Sequence, residues 1–371
     1  MAKNPVMYHE GGFPPEQLEW ERLVPLIGPA NRALARYDGT LTAVPNPAVL
    51  LSLLMAQEAV LSSRIEGTQA TMADVMEYEA GMPPETGRTE DIHEVLNYRR
   101  AMARAVDLMK ELPLCQRVIK QAHAVLMEGV RGQGKAPGEY RKVPNWIWPP
   151  GAPMEEATYV PISAERLPGA MGRWERFIHE SSRDTLVQLA LLHAEFESLH
   201  PFLDGNGRLG RMLVPLFLFS QKLLQGPMFY ISAYLEARRD IYYERLLAVS
   251  RDGDWTGWCL FFLQALTDQA VENQEKAAAV LTLYERERDR IIDLTRSQYA
   301  MKALDFLFAR PIFSISSFVH DSGIPEHTAK KIIKKLQDSD MFEELRKARG
   351  RNSAVVAFRD LLHIAEGRKI I

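Results

Sequence analysis

Apolar residues recur along most of this chain at intervals of three and four, the spacing of one helix face. Residues 47–65 show it clearly: Val49, Leu50, Leu53, Leu54, Val60 and Leu61 form a stripe. Pro47 suits a first helical turn, and Gly67 supplies a stop. The same period predicts helices over 71–79, 90–108, 114–127, 166–179, 185–199, 207–224, 239–249 and 255–295. Two stretches break it. Residues 5–46 are rich in Pro and Gly, which predicts loop with one short helix near 16–26. In 128–162, Gly and Pro alternate with Tyr140, Val143, Trp146, Ile147, Tyr159 and Val160, which predicts a loop carrying a β-hairpin.

The tail has its own order. Helices are predicted at 300–309, 314–322 and 326–337, with Gly323-Ile324-Pro325 separating the last two. Strands at 342–345 and 354–358 flank a basic turn. Helix, helix-turn-helix and a two-stranded wing is the order of a winged helix. The fold class is therefore all-α with a small hairpin, in three parts: 1–100, 101–295 and 296–371.

Composition changes this picture little. Hydrophobic residues at 46% and charged residues at 25% suit a soluble globular protein. The net charge of −3 marks the whole chain as neither a nucleic-acid binder nor a membrane-surface protein. From Arg296 onward, however, 14 Lys+Arg stand against 9 Asp+Glu, so the tail is the basic part of an acidic chain. Lys330, Lys331, Lys334 and Lys335 on one helix, with Arg346, Lys347, Arg349 and Arg351 in the wing, make the footprint of a DNA reader. A solvated basic face or a protein-docking module is the alternative. Cys115 and Cys259 read as reduced thiols of a cytoplasmic protein, and no Cys/His spacing suggests zinc. The N-terminus lacks a signal-peptide pattern, and no apolar run suits a membrane.

The candidate chemistry is concentrated in His200 to Arg211. In Asp204-Gly205-Asn206-Gly207-Arg208, two glycines let main-chain N–H groups converge just before an apolar helix, whose positive end completes a phosphate seat. Arg208 and Arg211, three apart, reach the same anion. Asp204 stands where a Mg²⁺ carried by a nucleotide would sit, and His200 is the natural general base for a hydroxyl attacking phosphorus.

The whole stretch, His200-Pro201-Phe202-Leu203-Asp204-Gly205-Asn206-Gly207-Arg208-Leu209-Gly210-Arg211, resembles the Fic-family signature His-x-Phe-x-Asp/Glu-Gly-Asn-Gly-Arg-x-x-Arg at all its specified positions. The resemblance implies an all-helical core with a β-hairpin flap, and transfer of AMP from ATP, with Mg²⁺, to a Tyr, Thr or Ser hydroxyl. It implies that His200 takes the hydroxyl proton and Asp204 holds Mg²⁺. Gly205, Asn206 and Gly207 would cradle the phosphates, with Asn206 on the α-phosphate. Arg208 and Arg211 would bind the β- and γ-phosphates, Phe202 would anchor the loop, and Pro201 and Leu203 would line it. Doc-type members, which phosphorylate, carry Lys where this chain has Gly207, which favours AMP transfer. His193 reads as a packed helper, and Glu195 and Glu197 as residues that orient neighbours or face solvent. Ser63 and Glu195 are also expected to touch the nucleotide.

Ser62-Ser63-Arg64-Ile65-Glu66-Gly67 resembles the inhibitory motif of the same family, Ser/Thr-x-x-x-Glu-Gly/Asn. That implies an ion pair from Glu66 to Arg211 that keeps the γ-phosphate off. In some relatives the equivalent Glu positions a water that removes AMP, so both roles stay open. Residues 138–147 and 157–161 resemble the flap that holds a target by strand addition. An ordinary hairpin over Trp146 and Trp148 is the alternative. Residues 232–243 resemble the adenine-pocket segment, with Tyr242 or Tyr243 on the base or simply in the core. Partners implied are ATP and a target protein, with duplex DNA and a second copy of the chain left open. A de-adenylylating hydrolase and an ATP-sensing transcriptional regulator are the rival functions.

Overall fold

The computed structural model describes residues 5–84, 87–130, 134–147, 157–349 and 353–366. The chain begins with β1 (Val6–Met7), α1 (Trp20–Ala43), α2 (Pro47–Leu50), α3 (Ser52–Ile65), α4 (Met72–Glu79), α5 (Thr89–Leu108) and α6 (Gln116–Leu126). It continues through β2 (Tyr159–Val160), α7 (Leu167–His179), α8 (Thr185–Leu199), α9 (Asn206–Ser220), α10 (Ser232–Ala237), α11 (Arg239–Asp252) and α12 (Trp255–Thr295). The tail adds α13 (Ala300–Ala309), β3 (Ile312–Ser314), α14 (Ile315–Asp321), α15 (Glu326–Gln337), β4 (Glu343–Arg346), β5 (Val355–Ala357) and α16 (Arg359–Glu366).

The chain divides into two compact units, and not at the expected boundaries. The first comprises Met1–Asp38, Leu61–Thr68 and Leu96–Val271; the second comprises Gly39–Val60, Gln69–Val95 and Glu272–Ile371. Contact, rather than sequence order, groups the early segments with the tail.

In the first unit α8 is the central helix. Its side chains are buried almost all round, and it packs on α7, α9 and α11. A helix apolar on every side is stable only in such a position. Asp184 caps it, accepting from the Leu186 and Val187 N–H groups at 3.0 and 2.9 Å. The Pro/Gly-rich start differs from expectation. α1 runs for 24 residues with Pro25 and Pro29 inside it. An interior proline costs about 3 kcal/mol. Burial of Leu23, Ala30, Leu34 and Tyr37 at helical spacing offsets that, at about 1.5–3 kcal/mol per large side chain. β1 pairs in parallel with β2, and Ile147 bridges Tyr159 on the other side. The N-terminal segment thus adds a strand to the expected hairpin. Trp148 and the hairpin tip lie outside the described residues.

In the second unit α2 packs on α13, and α4 on β3. The sheet order is β3-β5-β4, with both pairings antiparallel. β3 and α16 were not expected from the sequence pattern. On α15, Ala329, Ile332, Ile333 and Leu336 face inward, and the four lysines are exposed. Two of those lysines are engaged within the unit: Lys330 pairs with Glu326 at 2.5 Å, and Lys335 donates to the Leu294 carbonyl at 3.0 Å. Arg351 lies outside the described residues. Among the described residues no helix is long and apolar enough to cross a membrane, and both cysteines are free.

Candidate active site

The candidate residues come from two stretches of the first unit, the end of α3 and the α6–α11 region. α8 ends at Leu199, and His200 takes a left-handed backbone, φ 46° and ψ 61°. Such a conformation costs a non-glycine residue about 1–3 kcal/mol, so its neighbours must hold it. Arg141 does so. Its N–H donates to the Pro201 carbonyl and its Nε to the His200 carbonyl, both at 2.9 Å. Its Nη2 donates to the carbonyls of Leu199, at 3.3 Å, and Ile162. A cation on the last carbonyls also suits the negative end of α8. His200 Nδ1 is buried with no hydrogen-bond partner among the described residues. Burial pushes the ring's pKa down to about 4, against the opposing pull of Glu66, so the imidazole is neutral at neutral pH.

The loop after His200 is fixed from beneath. Gly205 has φ 78°, and a methyl group there would press on Met127 Sδ at 3.0 Å, so only glycine fits. Asn206 Oδ1 accepts from the Phe202 N–H at 2.8 Å, and its Nδ2 donates to the Phe202 carbonyl at 2.9 Å. Its side chain is therefore committed to shaping the loop. Phe202 stacks on His123 with ring centroids 3.8 Å apart. His123 Nδ1 accepts from the Gly138 N–H at 2.7 Å, so Nε2 carries the proton donated to the Asp204 carbonyl at 3.0 Å. Burial holds this histidine neutral too, with its pKa down at about 4. The first turn of α9 is left as a rigid set of N–H groups. Asp204 Oδ1 accepts from the Gly205 N–H at 2.7 Å and lies 3.5 Å from Arg208 Nη2. Its Oδ2 accepts from Lys135 Nζ at 3.0 Å.

Arg211 is wholly buried. Its Nε donates to Ser62 Oγ at 2.9 Å, and its Nη2 donates to the Ser62 carbonyl at 2.8 Å and to Glu66 Oε1 at 2.6 Å. A methyl group on Gly207 would overlap that same Glu66 oxygen. The Glu66 carboxylate thus fills the space over the first turn of α9 while pairing with Arg211. Ser63 Oγ is buried beside it in sequence, with no partner among the described residues.

Other residues fall elsewhere. Glu195 accepts from Tyr8 Oη at 2.7 Å through Oε1 and bonds His9 Nε2 at 2.9 Å through Oε2. Both oxygens anchor the N-terminal segment, which departs from the nucleotide contact expected of Glu195. Tyr242 is buried, and its hydroxyl lies 2.9 Å from His193 Nε2. The core reading holds for Tyr242, and the accessible ring of the pair is Tyr243, 40% exposed. His193 is the packed helper expected, with Nδ1 3.0 Å from the Gly210 carbonyl. Arg238 lies over the Tyr234 ring at 4.0 Å. Pro201 and Phe202 are buried, and Leu203 is half-buried. Arg141, His123 and Ser62 carry much of the geometry, and only their distant partners reveal their roles.

The class comes first from fold and site: a helical core that sets a neutral imidazole beside an anion seat at a helix N-terminus. Residues 113–218 match the Fic/DOC family domain, and residues 24–107 match the Fic/DOC family N-terminal domain. The chain belongs to the Fic/DOC family. A probable protein adenylyltransferase of Aquifex aeolicus is 27% identical over 192 residues, 51% of this chain and 56% of that protein. A Fido domain-containing protein of Dictyostelium discoideum is 70% identical over 30 residues, 8% of this chain and 20% of that one. The chain thus spans little more than half, or less, of the curated relatives it matches. Among solved structures, a Fic family protein from Desulfovibrio desulfuricans matches 93% of this chain and 98% of its own, with a TM-score of 0.61 and 20% identity. Fic-1 from C. elegans matches 70% and 73%, with a TM-score of 0.52 and 16% identity. These likenesses show the fold.

Proposed function

We propose that this chain transfers AMP from ATP to a Tyr, Thr or Ser hydroxyl of a protein, and that Glu66 holds the activity in check. The observation that carries the reading is a neutral, half-buried imidazole, His200, set in the turn that leads into the N–H groups opening α9. His200 takes the proton of the target hydroxyl. The hydroxyl oxygen attacks the α-phosphorus, the bond from that phosphorus to the bridging oxygen breaks, and pyrophosphate leaves with the electron pair. AMP remains on the target oxygen. The α9 N–H groups and Arg211 bind the phosphates and disperse charge as it moves toward pyrophosphate. Gly207 leaves room for the triphosphate once Glu66 is gone. Ser63 Oγ is free to meet the nucleotide.

The residues present fit a Mg²⁺ brought by the nucleotide. Such an ion commonly binds one carboxylate and phosphate oxygens, and Asp204 supplies a half-buried carboxylate once Lys135 lets go. When bound, it would neutralise phosphate charge. The exposed side chains of Val143 and Ile147 would give a target segment laid along the flap an apolar surface, with main-chain bonds fixing its hydroxyl.

ATP labelled in the α-phosphate tests the reading. Glu66→Gly should place α-label, and no γ-label, on protein, and His200→Ala should abolish it. Label released from modified protein as AMP would favour the hydrolase. ATP binding without transfer in Glu66→Gly would favour the sensing regulator.

A further inference from the structure

If ATP is to use Arg211, Glu66 must withdraw, and the inference below rests on that reading. Removing the one carboxylate bonded to a buried cation is costly unless another charge replaces it. α8 carries a second carboxyl close by. Glu197 Oε1 is buried with no hydrogen-bond partner among the described residues. Gly210 makes its space, since a methyl group there would overlap that oxygen. The two carboxyls therefore approach α9 about one turn apart, Glu66 over Gly207 and Glu197 over Gly210, the residue just before Arg211. Glu197 can compensate Arg211 without filling the space over Gly207.

The neighbouring bonds set its protonation. Burial holds His193 neutral, with its pKa down at about 3. Its Nδ1 lies 3.0 Å from the Gly210 carbonyl, so Nδ1 carries the proton and Nε2 is a lone pair. The Tyr242 hydroxyl lies 2.9 Å from Nε2 and donates there. Glu197 Oε1 is 3.9 Å from the same Nε2, too far for a hydrogen bond. The charged groups acting on Glu197 are Arg211 from α9 and Glu66 from the end of α3, and the neutral Tyr242 and Tyr243 hydroxyls of α11 face it as well, that of Tyr242 holding its pKa down. Burial, reinforced by Glu66 and opposed by Arg211, pushes its carboxyl up to about 7. Its side chain is 12% exposed, enough for a proton to pass to solvent.

We infer that Glu197 is a positioning residue for Arg211: when Glu66 withdraws, Glu197 gives its proton to solvent and becomes the buried counter-ion that keeps the guanidinium in place. Loss of Glu66 removes a repelling negative charge and leaves Arg211 dominant, so Glu197 ionises more readily. Release of Glu66 is then linked to release of about half a proton, the most that a tenfold change in acidity allows, and is favoured as pH rises toward about 7.

Two measurements test this without relying on AMP transfer. Carbon-13 NMR of labelled glutamate carboxyls, assigned by Glu197→Gln, should show the Glu197 midpoint lower in Glu66→Gly than in wild type, with about a tenfold stronger acid. Equal midpoints overturn the inference. Urea unfolding supplies the second arm. A carboxyl whose folded midpoint lies above its unfolded one loses stability as it ionises, so between pH 5 and pH 8 Glu197→Gln should lower the unfolding constant relative to Glu197, and about tenfold less in the Glu66→Gly background than in wild type. A pH-independent effect of equal size in both backgrounds would mean a purely structural role and overturn it. If the midpoint shifts yet Glu66→Gly transfers no AMP, the counter-ion role stands and the proposed function fails.

Discussion

Replacing Glu66 by glycine should weaken the free protein and strengthen its activity at once. The structure sets both magnitudes. One charge-assisted bond, 2.6 Å from Glu66 Oε1 to Arg211 Nη2, is lost, and its carboxylate is a third exposed. Hydrogen bonds to charged groups contribute about 1.5–3 kcal/mol, and partial exposure puts this one near the low end. Stability of the nucleotide-free variant should therefore fall by about 1–2 kcal/mol. ATP gains what the carboxylate gives up, because it no longer competes for Arg211 or for the space over Gly207. That alone predicts roughly 5–30-fold tighter productive binding. Repulsion between the carboxylate and the triphosphate adds to it, up to about 4 kcal/mol per charge pair at 4 Å in a surface-like dielectric. Urea unfolding at fixed pH, calorimetric ATP titration and initial rates with α-labelled ATP give the three numbers. Glu66→Gln, which keeps the shape and loses the charge, should fall between. A folded Glu66→Gly protein with wild-type ATP affinity and transfer rate would refute the brake.

Arg141→Met should lower stability by about 2–4 kcal/mol, because the His200, Ile162 and Leu199 carbonyls lose a buried donor, and should cut AMP transfer more than ATP binding by freeing His200 from its strained backbone; equal losses in both would count against the clamp. Gly207→Ala should displace the Glu66 carboxylate and yet fail to activate, since its methyl group takes the same space from the phosphates; activation comparable to Glu66→Gly would contradict that. The pH dependence of stability follows from the buried histidines. In the unfolded chain these rings titrate near 6.5, whereas folded His123 and His200 do so at about 4 and His193 at about 3. The unfolded state binds more protons below 6.5, so stability is full above that value and is lost as pH falls toward 4, at about 1.4 kcal/mol per unit per ring. Proton NMR should find no titration of these three rings between about pH 7 and 5; a midpoint near 6.5 for any of them would remove its share.

The elements that periodicity foretold best are those whose ends carry local signals. α8 begins after the Asp184 cap, and α12 is one long apolar repeat beginning at Trp255. α1 escaped because Pro25 and Pro29 signal a break, and only burial against the rest of the unit overrides them. The site divides the same way. Base, phosphate seat and arginines lie within one short stretch, so residue types and spacing suffice to suggest their chemistry. What holds them does not lie there: Arg141 is 59 residues from His200, His123 is 81 from Asp204, and Ser62 is 149 from Arg211. Spacing also misplaces residues whose partners are remote, as with Glu195, whose oxygens go to Tyr8 and His9.

Gly207 shows why the remote half decides behaviour. From the sequence its missing side chain reads as room for a triphosphate. In the folded chain that room is filled by Glu66, from an element 141 positions earlier. On the proposed function this single void would serve either the ligand or the brake, so every kcal/mol that holds Glu66 against Arg211 would be withheld from ATP. Activity would then be set by the difference between two affinities for one guanidinium. A modest change at the end of α3, far smaller than the chemistry's own barrier, would be enough to move the chain between the two states.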